Sequence, residues 1–574
     1  RIYYGVYVRL TGKFSANMKS FTAAEISFEE FSSNITPVFN IKGIKNAKVL
    51  EIKERVFEDF GDGIEEILPE EVRKRHNLIS RYHAIKYINL PEETEEIKKA
   101  IRRIKFEELL LYQLKIKYLL YMRKNYPQGV AIEFDEKKVA DFIASLPFRL
   151  TEDQSRAVEE ILGDMASNFK MNRLLQGEVG SGKTVVAAIC LYAAVTAGYQ
   201  GAIMVPTEVL AQQHFQTFRE LFENTDVNIQ MLSASLSGKD RKTILEGLKN
   251  KTVDIVVGTH SLFGKDVVFE KLGLVVTDEE HRFGVKQRVS IVGKGHLIDH
   301  LKMSATPIPR TLAISVLGES DISVIRELPG QRKEPITKYL NYKDMDLVHE
   351  HIQNQIKSGR QVYVITPMIE ESPVMELENA TDIYEQFRER YSGICEVGLI
   401  HSRLKTAEKE EVMKKFQDNE IQILVSTSVI EVGVNVVNAT TCVVLDADRF
   451  GIAQLHQMRG RVRRSDEQAY CFLVSDSEAE TAVARLKLVE GNNDGFVLAE
   501  EDLIMRGPGD LFGERQTGNI PFKMADLVLD RELLLEADAE AEALINEGKL
   551  FTEEYAKLYE IVHKNYLEKK EFLD

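Results

Sequence analysis

A chain of 574 residues is too long to bury itself around one hydrophobic core, so three to five domains are expected. With 44% hydrophobic and 29% charged residues it reads as globular protein, and no apolar run reaches the roughly 18 residues of a membrane span, which excludes disorder and a helical membrane protein. The net charge of −16 argues only weakly against a nucleic-acid partner, because a polyanion senses the local field of a groove, and N–H and hydroxyl groups hold phosphates without adding charge. Cys190, Cys395, Cys442 and Cys471 lie far apart with no CxxC pair, which suggests neither a disulfide framework nor a zinc site and suits a reducing cytoplasm. The start, Arg1-Ile2-Tyr3-Tyr4, has neither an initiator Met nor a signal-peptide pattern and reads as a chain beginning inside a domain.

Alternating apolar and polar residues at 4–10, 24–28 and 37–41 predict strands of a small β unit within residues 1–60. From about Val49 the period becomes helical, and residues 92–121, rich in Glu, Lys, Ile and Leu, predict a long helix in a linker spanning 61–147, its charges forming a solvated face. After Pro147 the pattern changes to strand, loop and helix in repetition. Short apolar runs at 173–175, 202–205, 255–257, 274–276, 362–365, 423–425 and 442–445 each enter a Gly, Thr, Ser or Asp cluster, as parallel strands buried on both faces do. Two α/β domains follow, 148–330 and 331–490, divided at Pro329-Gly330; a Gly-rich stretch from Asn492 and an acidic helical tail complete 491–574.

The run Gly177-Glu178-Val179-Gly180-Ser181-Gly182-Lys183-Thr184 fits GxxxxGK[ST] between an expected strand and an apolar helix. Glycines there let backbone N–H groups curl around phosphate oxygens, and the helix N-terminus adds its dipole. Lys183 would neutralise the β/γ charge and the Thr184 hydroxyl would ligate Mg²⁺, so ATP and Mg²⁺ are the expected cofactors. Such a loop needs an acidic partner at the end of another buried strand. Leu274-Val275-Val276-Thr277-Asp278-Glu279 supplies it, with Asp278 holding Mg²⁺ through water and Glu279 orienting and deprotonating the attacking water. A Gly-rich turn or an acidic helix cap is the plainer reading of either motif alone; the two together, each after a buried strand, displace it.

Asp278-Glu279-Glu280-His281 resembles the DExH signature of superfamily 2 helicases, and further segments resemble that family's motifs in order. Residues Phe148 to Gln154 are similar to the Q motif, which implies a Gln154 amide on adenine and Phe148 stacked against it. Thr207 in Pro206-Thr207-Glu208 and Thr259 in Gly258-Thr259-His260 fall in segments similar to the strand-tracking motifs. Ser304-Ala305-Thr306 is similar to the motif that links ATP state to domain closure, and Thr427 sits in a segment resembling motif V. Residues 457–464 resemble motif VI, which implies catalytic roles for Gln457, Arg461 and Arg464. The two arginines, three apart, would share a helical face and cross the cleft to the γ-phosphate.

Within the superfamily the chain resembles the RecG family over nearly its whole length. The resemblance is carried by Leu146-Pro147-Phe148-Arg149-Leu150-Thr151, Arg173-Leu174-Leu175-Gln176-Gly177, His281-Arg282-Phe283-Gly284-Val285 and Ala453-Gln454-Leu455-His456-Gln457. Asp494-Gly495-Phe496 with Arg506-Gly507-Pro508-Gly509 resembles the TRG motif shared by RecG and the coupling factor Mfd, and Pro508 favours RecG. The resemblance implies two RecA-like parallel-sheet motor domains, preceded by a partial OB-type wedge and the helical linker and followed by a helical C-terminal segment. It further implies an ATP-dependent DNA translocase and helicase remodelling forks and four-way junctions, with Arg506 coupling hydrolysis to movement. Branched duplex DNA is the implied partner and a single-strand-binding protein a second one, for a cytoplasmic monomer with no membrane contact. Phe14 and Phe21 would meet the fork, although core positions in a small β unit are the plainer reading.

Several residues depart from the family pattern: Asn435 for Asp and Val437 for Pro in motif V, Ser402 for Gly, Glu280 for Gln and Arg463 for a Gly of motif VI. Asn435 weakens the expectation of a ribose contact at that position. An Mfd-like translocase acting on stalled RNA polymerase is the main alternative. A non-catalytic ATP-switched module is opposed by the intact Walker residues, and an RNA helicase by the TRG-like segment.

Overall fold

The structure, a computed structural model, describes residues 9–14, 21–27, 37–39, 41, 43–125, 129–233, 236–264, 266–279, 298–305, 320–330, 333–367, 373–401, 403–427, 436–463, 465, 467–506, 522–527 and 529–570. It divides into two compact units: residues 1–115, 520–526 and 530–574 form the first, and 116–519 with 527–529 the second.

In the first unit β1 (Arg9–Phe14) pairs antiparallel with β2 (Phe21–Ser27), and Phe14 stands opposite Phe21 in register. The strand expected at 37–41 is not formed in its described residues, 37–39 and 41. Asn46 takes the place of a partner strand: its Oδ1 accepts from Phe39 N at 2.8 Å and its Nδ2 donates to Pro37 O at 2.9 Å. That same Asn46 opens α1 (Asn46–Phe60). Next come α2 (Glu70–Arg75), acidic in its first turn and basic in its last as the helix dipole favours, and α3 (Arg81–Asn89), capped by the Ser80 hydroxyl. The long α4 (Thr94–Asn125) buries Ala100, Phe106, Leu109, Leu110 and Leu114 on the i, i+3, i+4 stripe that its sequence carries.

The helices Arg531–Asn546 and Ala556–Lys570, from the other end of the chain, belong to this unit and bury Leu534, Ala537, Ala541, Leu544 and Leu558. Polar contacts join the two ends. The buried Glu540 accepts from Arg75 Nη1 at 2.9 Å and lies 2.9 Å from His76 Nε2, while Glu108 gathers the backbone N–H groups of Lys523, Met524 and Ala525 at 2.9–3.1 Å. At the centre Arg103, fully buried, donates to Ile79 O at 3.1 Å and Glu66 Oε1 at 2.7 Å and pairs with Glu107.

The second unit begins its core with α5 (Glu136–Ser145) and α6 (Glu152–Met165), the latter closed by a reciprocal cap between Thr151 and Gln154. Its first lobe is a seven-stranded parallel sheet made of β3 (Asn172–Gly177), β4 (Gln200–Met204), β5 (Ile229–Leu232), β6 (Ile255–Gly258), β7 (Leu272–Asp278), β8 (Asp299–Ser304) and β9 (Asp321–Ile325). The spatial order is β5-β6-β4-β7-β8-β3-β9. Helices α7 (Lys183–Thr196), α8 (Glu208–Leu221) and α9 (Gly238–Lys249) connect these strands.

The second lobe is a six-stranded parallel sheet of β10 (Ile336–Leu340), β11 (Gln361–Thr366), β12 (Val397–Ile400), β13 (Ile423–Thr427), β14 (Ala439–Val444) and β15 (Tyr470–Val474), in the order β10-β15-β14-β11-β13-β12. Helices α10 (Met345–Lys357), α11 (Pro373–Arg390), α12 (Thr406–Gln417), α13 (Ile452–Gly460) and α14 (Glu480–Gly491) pack with it, and α15 (Gly495–Arg506) follows. Each of the seven apolar runs read from the sequence falls on one of these strands, those at 202–205 and 442–445 running one residue past its end. Central strands such as β4 and β11 are buried at every residue, which is why no polar alternation interrupts them.

Two substitutions test this packing. Arg103→Ala leaves the Glu66 and Glu107 carboxylates without their buried cation and should destabilise the first unit by about 3 kcal/mol in chemical denaturation, whereas a loss below about 1 kcal/mol would contradict the burial described. The second concerns Asp299, at the start of β8, whose Oδ1 accepts from Met171 N at 2.8 Å. Burial raises its carboxyl to about 7, so the folded state holds a proton that the unfolded chain releases near pH 4, and wild-type stability falls as pH rises through that interval. Asp299→Asn keeps the acceptor and cannot ionise. Its stability relative to wild type should therefore improve by about 2–3 kcal/mol between pH 5 and pH 8, and a difference independent of pH would refute the assignment.

Candidate active site

Because the strands of the first lobe are parallel, the C-terminal ends of β3, β7 and β8 emerge together along one edge of the sheet. This is the edge at which open α/β sheets bind ligands. The end of β3 turns at Gly177 into the loop 178–182, and α7 starts at Lys183. Gly182 has φ +86°, and a Cβ on it would collide with Gln154 Nε2, so both the turn and the approach of Gln154 require glycine. Nine of the fourteen residues of α7 are buried, which fixes its N-terminus behind the loop.

Lys183 Nζ donates to Gly177 O at 2.7 Å and Glu178 O at 3.0 Å, drawing the loop around the ammonium. The Ser181 hydroxyl is buried with no partner among the described residues, a donor suited to an anion in a loop at a helix N-terminus. Gln154 spends half of its amide on the protein, accepting from Thr151 N and donating to Ser181 O at 2.8 Å, so it braces the phosphate loop and keeps one N–H and one lone pair for a base. Phe148, 43% exposed, lines the same cleft.

The acidic residues occupy the next strand but one. Asp278 ends β7 and lies 3.0 Å through Oδ2 from His214 Nε2 on α8. Burial pushes the Asp278 carboxyl up, but the hydrogen bond and charge of His214, followed by the Lys183 ammonium, outweigh it and hold it below the usual range. Glu279 turns the chain with φ +54°, a left-handed conformation uncommon for a side chain of its size. Its own N–H bonds Met303 O at 3.0 Å and its Oε1 accepts from Ala305 N at 3.3 Å, so the carboxylate is tied to the segment after β8. His214 is a site residue that no motif announced, since only the fold brings the seventh residue of α8 to the end of β7.

From the second lobe Gln457 and Arg461 reach the same cavity of about 590 Å³, which Lys183, Thr184, Asp278 and Glu279 line from the first. That volume lies within the range of small-molecule sites. The helix α13 stops at Gly460, which passes against Val179 of the phosphate loop, and Arg461 caps it. Arg464 lies outside the described residues.

The residues expected to contact DNA or to couple hydrolysis to movement divide. Thr207 follows β4 and caps α8, its hydroxyl accepting from Leu210 N at 3.3 Å. Thr259, Ser304 and Thr427 stand at or just beyond the ends of β6, β8 and β13, and each is buried. Thr306 and the Arg506 side chain lie outside the described residues, as do Glu280, Ser402 and Asn435. Among the described residues no group of three His, Cys, Asp or Glu side chains could hold a metal by itself. The donors present, Asp278 and the Thr184 hydroxyl, suit a Mg²⁺ that takes most of its ligands from phosphate and water.

Residues 151–314 match the DEAD/DEAH box helicase family, 343–466 the helicase conserved C-terminal domain, and 492–571 the C-terminal part of domain 3 of ATP-dependent DNA helicase RecG. The chain is 45% identical over 558 residues to the ATP-dependent DNA helicase RecG of Bacillus subtilis strain 168, covering 96% of this chain and 82% of that protein. It is 45% identical over 541 residues to the RecG of Staphylococcus aureus strain MRSA252, covering 94% and 78%. A solved structure of RecG bound to a three-way DNA junction superposes with a TM-score of 0.67 at 36% identity, covering 92% of this chain and 70% of that one. Matches of this extent do not favour the Mfd-like alternative. With two motor lobes closing one cavity and relatives this similar along nearly its full length, the chain belongs to the RecG family of ATP-dependent DNA helicases.

Proposed function

We propose that the protein hydrolyses ATP between its two lobes to drive duplex DNA past a branch point, unwinding and remodelling forks and four-way junctions. The observation that carries this reading is the shared cavity: Lys183, Asp278 and Glu279 come from one lobe and Gln457 and Arg461 from the other, so hydrolysis depends on how the lobes meet. In this reading the loop N–H groups and Lys183 bind the β- and γ-phosphates, Thr184 and Asp278 hold Mg²⁺, and Glu279 receives the proton of the attacking water. His214 keeps Asp278 ionised and in place. Gln154 positions the loop, and Arg461 stabilises charge on the transferring phosphoryl group. Mg²⁺, when bound, supplies charge neutralisation between the phosphates. Branched DNA as substrate is supported by the likeness to the junction-bound RecG structure. The same reading includes a cytoplasmic monomer that meets a single-strand-binding protein at the fork.

Lys183→Ala and Glu279→Gln should each lower ATP turnover at least a hundredfold in a steady-state phosphate-release assay, while Glu279→Gln retains ATP binding because only the base is lost. Arg461→Ala should cost about a thousandfold. Turnover near wild type in any of the three refutes the assignment of that residue.

Strand separation and binding, measured side by side on linear duplex, a model fork and a four-way junction, test the substrate. Affinity should fall linearly as log K against log[salt] and vary little with base sequence, while opening should require the branch. Equal affinity and equal opening on linear and branched DNA would overturn the branched-substrate reading.

A further inference from the structure

In a loop that holds phosphates through backbone N–H groups, a side chain at the second position has no chemical task. That of Glu178 is nevertheless only 14% exposed and reaches away from the cavity into the second lobe. Its Oε1 accepts from the Gly495 N–H at 2.9 Å and lies 3.6 Å from His456 Nε2, and its Oε2 lies 3.7 Å from Arg463 Nη1. The partners are themselves fixed. Arg459, 1% exposed, donates Nη2 to His456 Nδ1 at 2.8 Å, which leaves the ring proton on Nε2, facing Glu178. Arg459 Nη1 donates at 2.8 Å to both Val489 O and Asn492 O, clamping the end of α14 just before α15 begins. Gly495 is the first residue of α15, and a Cβ there would collide with His456 Nε2 and fall 3.0 Å from Glu178 Oε1, so the contact forms only because the residue is glycine. Burial pushes the Glu178 carboxyl up, but His456, the Gly495 N–H and Arg463 hold it below the usual range, which keeps it charged.

A second tie lies beside the first. Phe496 carries the Arg326 guanidinium 5.3 Å from its ring centroid, and Arg326 follows β9 in the first lobe. The Arg326 N–H donates to Asp153 at 2.8 Å, one residue before the Gln154 that braces Ser181. The start of α15 is therefore attached to both ends of the phosphate loop, directly through Glu178 and indirectly through Arg326, Asp153 and Gln154.

We propose that Glu178 is a positioning residue that fastens the phosphate loop to the start of α15, so that a shift of the loop is passed to the helix ending at Arg506. The proposal rests on reading the cavity as the ATP site. Its test begins without nucleotide, so that it fails or holds separately from that reading. Fluorescence donor and acceptor on the two lobes of the full chain report their separation in the nucleotide-free enzyme. Glu178→Ala and Gly495→Ala should each lower transfer efficiency, and the double variant should do no more than the larger single effect, because both remove one contact. Glu178→Gln, close in shape and still an acceptor for Gly495, should fall between wild type and Glu178→Ala and guards against a folding defect. On a forked DNA, base pairs opened per ATP hydrolysed should fall at least about threefold in Gly495→Ala, a ratio that simple destabilisation leaves alone. Unchanged transfer in all the variants, additive effects in the double variant, or an unchanged ratio would each overturn the proposal.

Discussion

The parallel register of β3, β7 and β8 is the constraint on which the rest of the molecule depends. Leu175 and Gln176 face Met303 and Ser304, and Thr277 and Asp278 face Lys302 and Met303. One strand, β8, thus sets the level at which both the phosphate loop and the acidic pair leave the sheet. A slip of one residue would turn every side chain of a strand to the opposite face and carry Asp278 away from Lys183. The apolar burial on both faces makes such a slip costly, and the site inherits its geometry from that cost.

From this edge the chemistry is extended by polar contacts. His214 holds Asp278 from α8, Ala305 holds Glu279 from the segment after β8, and Gln154 holds the loop from α6. Of these only His214 lies outside the motifs read from the sequence; Gln154 and Ala305 fall within them, although the contacts they make are set by the fold. Together they make the first lobe a rigid half of a site, completed by Gln457 and Arg461 from the second.

How much of this was legible in the sequence depends on the scale of the signal. The phosphate loop, the acidic pair and the two parallel sheets were legible, because close backbone approach demands glycine and two-sided burial demands unbroken apolar runs. The edge strands β5, β9, β10 and β12 were not, since each mixes buried with partly exposed residues over four or five positions and loses the apolar signature. The strand expected at 37–41 failed because one side chain, Asn46, satisfied backbone groups that alternation alone assigns to a neighbour. His214 and Glu178 were beyond reach for a different reason: their partners lie 64 and 317 residues away, and no local pattern encodes a contact of that span.

The first unit draws on both ends of the chain, with Arg75 bonded to Glu540 across 465 residues. A ribosome making about 5–20 residues per second needs roughly half a minute to a minute and a half to bridge that interval. During it α2 and α4 stand in the nascent chain without Glu540 and Glu536, their partners, whereas the sheets of the second unit have their last strand once Val474 is made. Synthesis therefore imposes an order of maturation in which the motor is finished first. The early helices of the first unit wait for the residues made last in their own unit.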